Sequence, residues 1–95
     1  MTDQLADKLK SLPREPGVYF HKNKKGDIIY IGKAAVLRNR VRQYFQKSRV
    51  RDPKTDALIA EIHDTDWVTV ESEIDALFLE AEMIRRYMPP YNILL

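Results

Sequence analysis

Tyr19, in Gly17-Val18-Tyr19, and Tyr30, in Tyr30-Ile31-Gly32, carry phenols able to accept or relay a proton. Arg40 offers a cationic clamp for a charged phosphorane. Glu80, set among apolar residues, offers a hard oxygen ligand for a divalent cation. A proton acceptor, a clamp and a metal-binding carboxylate are the groups that hydrolysis of a phosphodiester needs. They are far apart along the chain, so their chemistry depends on the elements that position them.

Leu5, Leu9 and Leu12 recur at helical spacing over residues 3–12, and Pro13 and Pro16 stop that helix. Residues 17–21 and 27–31 alternate, and Asn23-Lys24-Lys25-Gly26 between them is rich in turn formers, which predicts a β-hairpin. Val18 and Phe20 then share one face and Tyr19 and His21 the other. Ile29 and Ile31 oppose Tyr30, so both tyrosines emerge on one side. Residues 34–45 read as a helix with Leu37, Val41 and Tyr44 or Phe45 inward, Arg38 and Arg42 opposite, and Arg40 between. Its start at Gly32-Lys33 is expected to offer free N–H groups to a phosphate beside Lys33. Asp52 and Pro53 open a helix through Ile62 with Leu58, Ile59 and Ile62 inward, and residues 67–70 form a third strand. Ser72 caps the last helix, whose stripe is read as Ile74, Leu77, Phe78, Ala81 and Ile84, ending before Pro89. Leu79 and Met83 fall away from that stripe, as a docking surface would. Glu80 lies at its edge, where a carboxylate needs a cation such as Arg40 or a metal ion. His21 is expected to be partly exposed on its strand, and His63 to sit at a helix end.

With 95 residues and 44% apolar content the chain is expected to be one domain, residues 1–95, with a single modest core. The absence of cysteine excludes thiol nucleophiles, disulfide scaffolds and zinc fingers, and two histidines argue against a His-rich metal site. No apolar run approaches the roughly 20 residues that a bilayer requires, which reads as a soluble, cytoplasmic chain. The net charge is only +2, but it is unevenly placed. Residues 33–51 hold seven cations (Lys33, Arg38, Arg40, Arg42, Lys47, Arg49, Arg51) and no acid, while residues 55–82 hold nine acids and no Lys or Arg. Tyr44 and Phe45 lie within the basic block, a pattern suited to phosphates with rings stacking on bases, although a solvated helix face has the same composition.

The order Gly17-Val18-Tyr19, Tyr30-Ile31-Gly32-Lys33-Ala34, residues 37–45, Leu79-Glu80-Ala81 and Pro90-Tyr91-Asn92 resembles the GIY-YIG nuclease family, in its UvrC-like excision-repair branch. The likeness runs from Pro16 to Leu95 and includes the leading helix. It implies an α+β fold, a small antiparallel sheet of three strands flanked by helices, that cuts one DNA strand with one divalent cation, Mg²⁺ or Mn²⁺. Glu80 would be the sole protein ligand of the metal and Arg40 would stabilise the phosphorane. Tyr19 and Tyr30 would organise or deprotonate the attacking water, and Lys33, Tyr44 and Asn92 would complete the pocket. Tyr30, with Lys33 beside it to make the phenol more acidic, is the expected general base, and Tyr19 could exchange roles with it. Lys33, Arg38, Arg42, Lys47, Arg49 and Arg51 are the expected nucleic-acid contacts. Val18 replaces the isoleucine of the first motif, as in many relatives; Ala35 stands where relatives often carry a basic residue and Glu82 where many carry asparagine, and these two should alter surface and DNA contacts rather than chemistry. The resemblance also implies a monomeric fragment of a longer multidomain repair nuclease making the incision 3′ of a lesion in damaged double-stranded DNA, with UvrB as partner and UvrA upstream. Another GIY-YIG nuclease (Cho-like, homing or structure-specific) and a non-catalytic nucleic-acid-binding module are the alternatives.

Overall fold

Thr2 accepts a hydrogen bond from the Leu5 amide and so opens the first helix, α1 (Asp3–Lys10), which buries Leu5 and Leu9 on one side. The computed structural model describes residues 1–94; Leu95, where the resemblance ends, lies outside them. The elements after α1 are β1 (Gly17–Lys22), β2 (Ile28–Ala34), α2 (Leu37–Gln43), α3 (Pro53–Glu61), β3 (Asp64–Thr69), α4 (Glu73–Tyr87) and α5 (Pro90–Leu94). The strands form an antiparallel sheet in the order β2-β1-β3, so β1 is central and β2 is an edge. This is the expected three-stranded α+β architecture.

Tyr19 stands opposite Gly32 on one side and Trp67 on the other, and His21 stands opposite Tyr30 and Thr65. That register puts Tyr19, His21 and Tyr30 on one face. There Leu5, Leu9, Leu12, Leu37 and Val41 pack around Tyr19, while Ala76, Leu79, Met83 and Ile84 of α4 cover Val18, Phe20 and Ile31 on the other face. Gly17 starts β1 because a Cβ at that position would collide with the Val68 carbonyl and the Leu37 side chain.

Three details differ from the sequence reading. Ala34 remains in β2, paired with Gly17, and α2 begins only at Leu37. The Leu37 and Arg38 amides donate to the Glu15 and Pro13 carbonyls at 2.9 and 3.0 Å, so the start of α2 is not the free phosphate cradle that was expected. On α4, Ile74, Leu77 and Phe78 are exposed (65%, 48% and 69%), whereas Leu79 and Met83 face the sheet. Both apolar sets recur at helical spacing; the set that contains the small Ala76, only 1% exposed, lets the helix lie close to the strands. Strand β3 starts at Asp64 rather than Trp67, because Lys8 neutralises Asp64 and Asp66 at 3.0 and 2.8 Å and Lys22 reaches Asp66 at 2.9 Å.

Met88, at φ 46°, ends α4 in a left-handed turn, its amide donating to Ile84 at 2.8 Å, and buried Pro89 starts the return of the chain to the β2 edge. There the Ile31 amide donates to Asn92 Oδ1 and Asn92 Nδ2 donates to the Ile31 carbonyl, both at 2.8 Å. One side-chain amide thus takes the place of a fourth strand. Asn92→Ala leaves both Ile31 groups unpaired and should lower unfolding stability by about 2 kcal/mol, read from the shift of the urea midpoint.

Candidate active site

β1 and β2 bring Tyr19 and Tyr30 onto one face, with ring centroids 6.3 Å apart. Tyr44, the C-terminal cap of α2, packs over them, its hydroxyl 2.8 Å from that of Tyr19. Gly32 lies beneath the hydroxyl end of the Tyr19 ring, and a Cβ there would overlap the phenol itself. The glycine of the second motif is therefore what allows the tyrosine of the first to lie flat across the neighbouring strand.

Burial raises the pKa of all three phenols: Tyr19 well above the ordinary tyrosine value, Tyr44 to about 12, and Tyr30 also upward. For Tyr30 the second cause is the negative charge of Glu80. The guanidinium of Arg40 lowers all three. The charge of α4's carboxylate thus bears on Tyr30, and that of α2's arginine on all three phenols. The cation acting on Tyr30 is Arg40 and not Lys33, as the sequence had led us to expect. Lys33 pairs with Val18, so it projects from the α4 side of the sheet, where it lines a cleft of about 500 Å³ with Arg40, Glu73, Ile74 and Leu77.

Among the described residues Glu80 makes no ion pair or hydrogen bond, and neither does the side chain of Arg40, so the pairing of the two offered as an alternative to a metal is not formed. Glu80 is half-buried, on the turn of α4 between Leu79 and Met83, both of which face the sheet. No cluster of three or more acidic or histidine ligands occurs among the described residues. A lone, unpaired carboxylate fits a hard cation such as Mg²⁺ or Mn²⁺, which retains water in most of its coordination positions.

The expected nucleic-acid contacts fall into two groups. Arg38 Nε donates to the Leu12 carbonyl at 2.8 Å and Arg42 Nε to the Leu9 carbonyl at 3.0 Å, so both arginines tie the end of α1 to α2. Arg49 and Arg51 pair with Asp56, the latter at 3.2 Å. Lys33, Arg40 and Lys47 make no such bond among the described residues and are exposed. Tyr44 and Phe45 pack against the buried core under α1 and α2, so their rings are not presented for stacking on bases. The helical period of α2 (Leu37, Val41, Tyr44) already carried that information.

His21, expected to be partly exposed, is fully buried. Its Nδ1 shares a 2.8 Å hydrogen bond with Thr65 Oγ1, and burial lowers its pKa to about 3. The unfolded chain takes up this proton near pH 6.5 and the native chain does not, so stability should fall as pH drops below 6.5, approaching about 1.4 kcal/mol per pH unit, until the native histidine titrates near 3. Urea midpoints at pH 7 and pH 5 check this; His21→Phe should remove most of the difference.

Three comparisons with known proteins bear on this geometry. The profile of the UvrC-like GIY-YIG domain matches residues 15–93. The UvrABC system protein C of Clostridium botulinum is 53% identical over 87 residues, which are 92% of this chain and 14% of that protein; that of Caldanaerobacter subterraneus is 47% identical over 91 residues, 96% of this chain and 15% of that protein. The chain thus spans about a seventh of the length of these relatives. The crystal structure of the GIY-YIG N-terminal endonuclease domain of UvrC from Thermotoga maritima, bound to its catalytic magnesium, superposes with a TM-score of 0.82 at 38% identity, covering 96% of this chain and 98% of that one. With the motifs on adjacent strands, the phenols converging and the profile covering most of its length, the chain belongs to the UvrC-like GIY-YIG domain family.

Proposed function

We propose that this chain hydrolyses a phosphodiester in one strand of DNA, using a single divalent cation, Mg²⁺ or Mn²⁺, held by Glu80. The observation that carries the reading is the unpaired Glu80 carboxylate, whose charge bears on Tyr30 while the Arg40 guanidinium bears on all three phenols. The magnesium in the Thermotoga domain supports it. When bound, the cation supplies positive charge that stabilises the leaving oxygen.

The chain's own residues do the rest. Tyr30, the phenol that senses Glu80 and is less buried than Tyr19, orients the attacking water and takes its proton after giving up its own phenolic proton to bulk water, an ionisation that the Arg40 guanidinium favours. Arg40 offsets charge on the phosphorane and makes deprotonation of the phenols less costly. Tyr44 and Tyr19 hold each other at 2.8 Å and keep Tyr30 in place. Lys33 receives a phosphate in the 500 Å³ cleft, and Arg40 links it to a second cleft of about 250 Å³ bordered by Tyr44 and Arg49. The exposed Lys47 adds charge along the path, Arg38 and Arg42 contribute their remaining N–H groups, and Asn92 stiffens the strand that bears Tyr30.

Likeness to UvrABC system protein C supports a wider reading. In it the chain is one monomeric domain of a longer multidomain nuclease in the bacterial cytoplasm, makes the 3′ incision in damaged double-stranded DNA, and depends on UvrB, with UvrA upstream. Among the described residues no helix is long and apolar enough to cross a membrane.

Glu80→Gln should reduce Mg²⁺- or Mn²⁺-dependent nicking of supercoiled plasmid by roughly 100-fold or more while DNA affinity persists. Tyr30→Phe should do the same at unchanged Tm. Nicking by Glu80→Gln at the wild-type rate would defeat the proposal, and a wild-type chain that binds DNA without cutting it would favour the non-catalytic alternative.

A further inference from the structure

His21 is the buried titratable group that the reaction does not use, and it touches every phenol of the site. It sits on the central strand with Tyr30 opposite on one side and Thr65 opposite on the other. Its ring stacks at 24° and 6.3 Å with Tyr30, lies 5.2 Å from Tyr19, and meets the Tyr44 ring edge-on at 4.7 Å and 84°. Phe45 closes the far side at 6.4 Å. The hydrogen bond to Thr65 fixes how the ring is turned about its bond to Cβ. Nε2, fully enclosed, has no partner among the described residues.

We propose that His21 is a positioning residue for phosphodiester hydrolysis, its flat ring being the wedge that sets Tyr44 over Tyr19 and Tyr30. With Nδ1 held by Thr65 and the ring fully enclosed, the side chain meets the site through its faces and edge, against which three tyrosines pack. Edge-to-face contacts have a defined geometry that an aliphatic side chain of equal volume does not reproduce. Tyr44 depends on this most, because it caps a helix of only seven residues and reaches the site through the 2.8 Å contact with Tyr19.

The inference rests on the nuclease reading above, and two substitutions separate it from simple core packing. His21→Leu preserves bulk and loses the flat face. Nicking of plasmid DNA with Mg²⁺ should then lose about 10- to 100-fold in kcat with KM for DNA unchanged. The double variant His21→Phe/Thr65→Val keeps the face and removes both polar partners together; it should fold and retain kcat within about threefold. In spectra of ¹³C-tyrosine-labelled protein the Tyr44 ring signals should move in the first variant and stay in the second. Equal kcat in the leucine and phenylalanine variants, or failure of the double variant to fold, would each overturn the inference. If the wild-type chain does not nick, the nuclease reading falls instead, and the Tyr44 spectra still decide whether His21 orders the phenols.

Discussion

A slip of one residue between β1 and β2 would turn Tyr30 to the α4 side of the sheet and leave Tyr19 alone on its own. The pairing of Tyr19 with Gly32 and of His21 with Tyr30 is therefore the contact on which the site depends. Several features hold it. Tyr19 lies where only glycine leaves room in the neighbouring strand, so a shifted register would meet the side chain of Ile31 or Lys33. On the outer side of β2 the Asn92 amide saturates Ile31, which removes the open edge along which the strand could slide or pair with another chain. On the inner side His21 bridges from Tyr30 to Thr65 of β3.

Because β2 is an edge strand, groups from both faces of the sheet can meet around it. The phenols belong to the α1–α2 face and Glu80 to the helix on the other, yet the Glu80 charge is felt at Tyr30. Burial keeps the phenols protonated in the resting chain. The acid that opposes ionisation of Tyr30 is the same one that attracts a cation, so occupation of Glu80 by positive charge removes part of the cost of forming tyrosinate. The basic block serves two ends. Arg38 and Arg42 spend their ε-nitrogens on the Leu12 and Leu9 carbonyls, in and just after α1, and set the angle at which α2 delivers Tyr44, while Lys33, Arg40 and Lys47 stay exposed to a polyanion.

The hairpin, its turn, the caps at Asp52 and Ser72, and the shared face of the two tyrosines were legible in the chain, because alternation and capping are local properties. The buried face of α4 was not: Ile74, Leu77 and Phe78 have as good a period as Ala76, Leu79 and Met83, and only the sheet's demand for a small residue at the crossing separates them. The burial of His21 was hidden for a similar reason, since enclosure comes from Tyr44 and Phe45, which reach it from another element. The start of α2 was misread because Ala34 is a good helix former that pairing with Gly17 holds in the sheet. Engagement of Arg38 and Arg42 by the Leu12 and Leu9 carbonyls has no local signature at all.

The central claim is that one carboxylate, unpaired among the described residues, is the group that takes up a divalent cation and bears on the Tyr30 phenol. Anomalous diffraction from crystals soaked in manganese chloride tests it most directly. The account predicts one peak bound by Glu80 at roughly 2.2 Å, with no second protein ligand. A peak held by other acids such as Asp56 or Glu73, with none at Glu80, would contradict it.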